Sequence, residues 1–108
     1  MRKTPVDLYR MGNATSSKLE NVRAKDIGMY IKGKETWVAA NSGGISTFAI
    51  RGNGKNWWKL DQGTEISNEL RVVNDYGHHW LWEPSYSMPL DTYQEALQLV
   101  GKRFYKVS

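Results

Sequence analysis

Cysteine is absent from the chain. That excludes a disulfide framework, a Cys-based zinc site and a thiol nucleophile. No apolar stretch is long enough to span a bilayer and no signal-type run follows Met1, so the expected setting is a reducing cytoplasm, without membrane contact. The nucleotide-binding glycine motifs are missing as well. Gly52-Asn53-Gly54 lacks the third glycine of a dinucleotide fingerprint and the Gly-Lys-Ser/Thr ending of a P-loop. No Gly-x-Ser-x-Gly elbow marks a hydrolase nucleophile. The two histidines are adjacent, His78 and His79, and no acidic or sulfur ligands stand at metal spacing, so no metal site is expected.

What is present describes a globular chain. Hydrophobic residues make up 40% and charged residues 24% of 108 positions, ordinary values that argue against disorder and for one domain, residues 1–108. Five Trp and six Tyr supply large buried areas to a small core. The formal charge of +4 and pI near 9.4 describe a solvated basic surface, or one that steers polyanions.

The patterning is mostly β. Val6–Arg10, Ile45–Ile50, Trp57–Leu60, Leu70–Val73 and His79–Glu83 read as strands, and Trp37–Ala40 as extended chain. Asn53-Gly54 reads as a tight hairpin that returns Trp57–Leu60 against Ile45–Ile50. Asp75-Tyr76-Gly77 reads as a further turn. Asn21–Tyr30 suits a loop or short helix, with Ser17 able to cap a helical turn. Tyr93, Ala96, Leu97 and Val100 follow helical spacing, with Asp91 as cap, Gln94 as its capping-box partner and Gly101 as terminator.

The chemistry centres on Asn41-Ser42-Gly43-Gly44-Ile45-Ser46-Thr47-Phe48. Glycine lets a ligand approach the main chain, and Ser46 and Thr47 offer hydroxyls on opposite faces of a strand. Arg10, beside Tyr9, carries a rigid fork of donors suited to pyrophosphate. On the strand near residue 80, His79, Leu81 and Glu83 share one face by period two and Trp80 and Trp82 the core face. A histidine and a carboxylate on one face are able to flank a substrate. Each residue also has a plainer reading, as surface arginine, β-compatible hydroxyl or hydrogen-bonded sheet histidine. The basic, aromatic-rich surface is compatible with single-stranded nucleic acid.

In order, Leu8-Tyr9-Arg10, Asn41 to Phe48, Gly63-Thr64-Glu65-Ile66, Leu70-Arg71-Val72, Asp75, His79-Trp80, Pro84 and Met88-Pro89-Leu90 resemble compact ADP-ribosyltransferase-fold toxins. These are type VI secretion effectors with paired immunity proteins, and their toxin–antitoxin relatives. The resemblance runs from about Val6 to Leu97. It implies an α+β fold: a β-rich split β-sandwich with a C-terminal helix, gripping NAD as substrate between two small sheets. It implies a growth-blocking mono-ADP-ribosyltransferase, or as a variant an NAD glycohydrolase, acting in the cytoplasm of the producing or target cell on a protein or nucleic acid. An antitoxin or immunity protein would hold it in check. By this resemblance Arg10 meets the dinucleotide phosphates or ribose. Ser46 and Thr47 shape the nicotinamide pocket, with Tyr9 and Gly44 beside the dinucleotide, and His79 matches a late-strand histidine. Members of the family place a glutamate on the last strand. No residue here matches it outright, and Glu83 and Glu65 are the two alternatives. The reading requires Arg10 and Ser46 to converge on one groove. The alternative function is a non-catalytic RNA- or DNA-binding module.

Overall fold

The computed structural model describes residues 2–108. In chain order the elements are β1 (Arg2–Lys3), β2 (Leu8–Met11), β3 (Met29–Lys32), β4 (Glu35–Val38), β5 (Ile45–Phe48), β6 (Trp57–Leu60), β7 (Glu65–Ile66), β8 (Leu70–Tyr76), β9 (His79–Pro84), β10 (Met88–Pro89), α1 (Leu90–Gly101) and β11 (Tyr105–Lys106). A six-stranded sheet runs in the order β11-β6-β2-β5-β9-β8. A three-stranded sheet, β10-β4-β3, and the pair β1-β7 complete the framework. The fold is α+β, a β-rich split sandwich with a C-terminal helix.

Alternation along the strands sorts the side chains of the large sheet. Leu8, Ile45, Leu60, Leu70 and Trp82 point to one face, where they join Tyr93, Ala96, Leu97 and Val100 of α1 and Val38 and Met88 of the small sheet in a single core. Fully burying side chains of this size contributes about 1.5–3 kcal/mol each. The same alternation puts Tyr9, Ser46, Phe48, His79, Leu81 and Glu83 on the opposite face, as the register of β2, β5 and β9 requires.

Some local expectations are corrected. The Asn53-Gly54 segment is no hairpin: β2 lies between β5 and β6 and pairs with both. Positive φ at Gly54 and Asn56 still turns the chain, but as a crossover loop, with β6 pairing along all four residues of β2. The Asn21–Tyr30 stretch is turns followed by the start of β3. The helix begins after Pro89, with no side-chain cap, and Asp91 sits within its first turn, where its charge complements the helix dipole. Gly101 is the last helical residue, and a Cβ there would lie 3.3 Å from Leu19 Cβ, so packing is what favours glycine. Ser17 caps no helix. It is buried and donates to the Gly101 carbonyl at 3.2 Å, pinning the loop after β2 to the end of α1.

Gly43 and Gly44 serve strand packing. A Cβ on Gly44 would fall 2.2 Å from the Trp82 carbonyl oxygen, and one on Gly43 2.4 Å from that of Asp26. The close approach that glycine permits is thus to neighbouring backbone, and Gly44 itself is buried.

Thr47 is the polar knot of the core. It is fully buried, donates to the Trp80 carbonyl at 3.0 Å and accepts from Trp82 Nε1 at 3.1 Å. Replacing it with valine strands the indole N–H in an apolar interior. Thr47→Val is expected to cost about 1–3 kcal/mol, read as a lowered urea midpoint. A midpoint unchanged from the parent would mean that Trp82 finds another acceptor.

Candidate active site

On the face of the six-stranded sheet away from α1, three side chains form one hydrogen-bonded chain. Ser46 Oγ lies 2.9 Å from His79 Nε2. His79 Nδ1 lies 2.7 and 2.8 Å from the two carboxylate oxygens of Asp75. The donor order follows from the chemistry. An ionised carboxylate only accepts, so Nδ1 carries a proton, and in the neutral form of the ring Nε2 is left to accept the Ser46 hydroxyl.

Backbone irregularity assembles this chain. Ser46 is the cross-strand partner of Leu81, one step along the face from His79. In the β8–β9 hairpin the register slips between Asn74 and Tyr76, so Tyr76 rather than Asp75 faces His79. That bulge leaves Asp75 as the extra residue and swings its carboxylate onto the imidazole. Bulges aim side chains in this way, often beside active sites. Asn74 braces the turn by donating to the Gly77 and His79 carbonyls.

Aromatic rings flank the imidazole. Tyr76 lies 5.0 Å and Phe48 5.4 Å from it, centroid to centroid. Tyr76 is 69% and Phe48 37% exposed, so the polar centre sits between apolar surfaces open to a planar ligand. Tyr9 shares this face beside Phe48, with the Lys59 ammonium 5.9 Å from its ring centre.

Arg10 does not share a groove with the Ser46 hydroxyl: the expected convergence of the two side chains is absent, and with it the expected role of Arg10 at the dinucleotide phosphates or ribose. It follows Leu8 by two on the core face, and it meets Ser46 through the main chain. Its Nη1 donates to the Ser46 carbonyl at 2.8 Å, Nε to the Ser17 carbonyl at 3.2 Å and Nη2 to the Lys18 carbonyl at 3.2 Å. β2 and β5 pair only at Tyr9 and Phe48, and the guanidinium fills the gap where they diverge. Three of its five N–H donors are thereby committed to carbonyls. Burial lowers its pKa from the usual arginine value, while the charge of Asp26 acts to raise it. It remains a cation at neutral pH. Ser17 and Trp58, the cross-strand neighbour of Arg10, border a separate cavity of about 270 Å³.

The remaining expected residues are engaged in other contacts. Glu83 shares the face of His79, yet it is 13% exposed and bound to Arg71 Nε at 2.9 Å, whose other branch reaches Asn41. Glu65 belongs to β7, in a different sheet. Thr47 and Gly44 are occupied in the core. Among the described residues no group of three His, Asp or Glu side chains is arranged to hold a metal ion. Asp75 appears in the sequence reading only as a turn residue and among those carrying the resemblance, with no site role. The available signal was its spacing of four from His79 across a hairpin, with Gly77 between.

A serine hydrolase would use the same three side chains. Its nucleophile, however, stands on a strained strand-to-helix turn, whereas Ser46 lies inside a strand paired on both sides.

Two outcomes follow from these contacts. Arg10→Ala removes three charge-assisted bonds and is expected to destabilise the fold by about 3 kcal/mol, so the urea midpoint and any activity fall together. Wild-type stability with lost activity would mean that Arg10 acts on a ligand instead. For Asp26, burial acts to raise the carboxyl, but the side-chain and backbone hydrogen bonds of Arg23 outweigh that and hold it below the usual carboxylate range. A depressed carboxyl contributes stability that is in place above its unfolded pKa, about 3.9, and is lost as pH falls through the folded value. The Tm gap between wild type and Asp26→Asn is therefore expected to be widest near neutrality and to close on acidification through and below about pH 4. A gap independent of pH would refute the pairing.

Neither a curated protein nor a solved structure matches the chain. A family model, the Tse2 ADP-ribosyltransferase toxin, matches residues 33–107, a segment that contains Ser46, Asp75 and His79 and leaves Arg10 outside. With well over half its length covered by that model, this chain belongs to the Tse2 ADP-ribosyltransferase toxin family.

Proposed function

We propose that this toxin cleaves the nicotinamide–ribose bond of NAD and transfers ADP-ribose to an intracellular macromolecule, with Ser46 and His79 as the groups that meet the reacting ribose. The observation that carries this is the Ser46–His79–Asp75 hydrogen-bond chain, open between two aromatic rings, in a member of an ADP-ribosyltransferase family.

The bond breaks through an oxocarbenium-like state, as glycosides do. Positive charge grows on the ribose while the nicotinamide nitrogen loses its own. Asp75 supplies a fixed negative charge through the imidazole, in a geometry set before the substrate arrives, which is how preorganised electrostatics lowers a barrier. Nε2 of His79 is placed to take a proton from an attacking hydroxyl. The exposed faces of Phe48 and Tyr76 suit the planar nicotinamide or adenine ring. Arg51 and Lys55, exposed on the loop after β5, offer charge to the phosphates or to an acidic acceptor. Arg10 acts from the core side by holding the Ser46 peptide in place. A toxin of this activity requires a paired immunity protein in the cell that makes it, and its place of action is the cytoplasm, where NAD is available.

The decisive assay incubates purified protein with labelled NAD and a cell lysate, then treats separate samples with protease and RNase. Transfer is expected for wild type. His79→Ala is expected to reduce it at least about 100-fold, the usual contribution of a positioned base, and Ser46→Ala to reduce it comparably, both with unchanged circular dichroism. Full transfer by folded His79→Ala would remove this face from the chemistry.

A further inference from the structure

We infer that Ser46 is a modification site: with no other acceptor at hand, its hydroxyl takes the ADP-ribosyl group from NAD, and the protein modifies itself. This rests on the NAD chemistry proposed above and goes beyond it in naming an acceptor.

A hydroxyl that only lines a nicotinamide pocket needs no base. Ser46 has one, at 2.9 Å, and that base is in turn held by both oxygens of a carboxylate. Nucleophile, base and orienting group within hydrogen-bond reach of one another are the signature of an activated nucleophile. Other hydroxyls nearby lack this arrangement. The Thr47 hydroxyl is spent in the core, and that of Ser42 bridges Ala39 and Gly28. The Ser46 carbonyl is anchored by Arg10, which restricts drift of the strand at the reacting residue.

The step balances without an oxidant or reductant. A bond forms between Ser46 Oγ and the anomeric carbon of the nicotinamide ribose. The bond from that carbon to the nicotinamide nitrogen breaks, its electron pair neutralising the pyridinium. The hydroxyl proton passes to His79 Nε2, and Asp75 stabilises the resulting imidazolium. Nicotinamide leaves neutral. The product is an ordinary acetal. A serine alkoxide is a far poorer leaving group than the carboxylate of retaining glycosidases, so the adduct persists. It also occupies the face that must bind the next NAD. Self-modification therefore shuts the enzyme down when acceptor is scarce, while an abundant acceptor intercepts the ribosyl group first. Asp75 enters as a positioning residue, acting on Ser46 through His79.

The test incubates the purified full chain with NAD alone, follows nicotinamide release, and locates any adduct by intact mass and peptide mapping. One ADP-ribosyl group per chain is expected, on Ser46, resistant to neutral hydroxylamine, which cleaves carboxylate-linked ADP-ribose. Asp75→Asn is expected to slow its appearance about 100-fold or more, as loss of an orienting carboxylate does in a serine triad, and Asp75→Glu to restore most of the rate. Nicotinamide release with an unmodified chain, or with the group on another residue or in a hydroxylamine-labile bond, would overturn the inference and leave the NAD reading standing. Equal labelling of folded Ser46→Ala would do the same. No nicotinamide release, with or without lysate, would bring down both.

Discussion

Strand β5 carries two adjacent hydroxyls, and the pleat forces them to opposite faces. Everything else in the molecule depends on how that division is used. Thr47 turns inward and satisfies the indole of the fully buried Trp82. Ser46 turns outward and meets His79. A slip of one residue in register would exchange the two, leaving Trp82 without an acceptor and an apolar-lined pocket around Ser46. The glycines before the strand enforce the register, since Gly44 lies so close to the Trp82 carbonyl that a side chain there would push β9 away. Core stability and the reactive face are thus specified by the same few residues.

The second constraint is electrostatic. In the proposed chemistry the charge near the ribose is negative, yet a bare carboxylate on this face would be free to pair with a neighbouring cation, as Glu83 does with Arg71. The bulge in β8 avoids this by setting Asp75 against an imidazole. The hairpin keeps the two residues four apart in sequence, so the pairing depends on little beyond the hairpin itself. Arg10 has the complementary role. Its charge is confined to the core side, where three carbonyls absorb it, and it does not compete with His79 for Asp75.

The framework was legible where periodicity was strong. The alternation of His79 to Glu83 sorted its two faces correctly, because Trp80 and Trp82 have no stable place but a core. The helical spacing of Tyr93 to Val100 was equally plain. The order of the strands was not, since Asn53-Gly54 has the chemistry of a hairpin turn and only long-range competition from β2 overrides it. Arg10 reads in the sequence as a donor fork for a pyrophosphate, whereas its acceptors are main-chain carbonyls of β5 and the loop after β2, and backbone atoms carry no sequence signal. Asp75 was hidden for a related reason. As a turn residue it has an adequate local explanation, and the bulge that redirects it is a property of two strands together.

Under the proposed function, the His79–Asp75 pair takes the part that a last-strand glutamate plays in the family this chain resembles. A glutamate touching the ribose stabilises the cationic state directly and is a weaker base than imidazole at neutral pH. A histidine backed by aspartate does both jobs with one unit: with the imidazole neutral the pair carries negative charge, and it becomes neutral overall when the imidazole takes a proton. In the proposed reaction the proton it takes comes from the hydroxyl that attacks, so charge on the ribose and charge on the pair disappear in the same step. That coupling favours hydroxyl acceptors over carboxylates, which have no proton to give, and over guanidinium groups, whose protons are held too tightly. The acceptor chemistry most consistent with the Ser46–His79–Asp75 arrangement is therefore an alcohol, whether on a protein side chain, on a ribose of RNA, or on Ser46 itself.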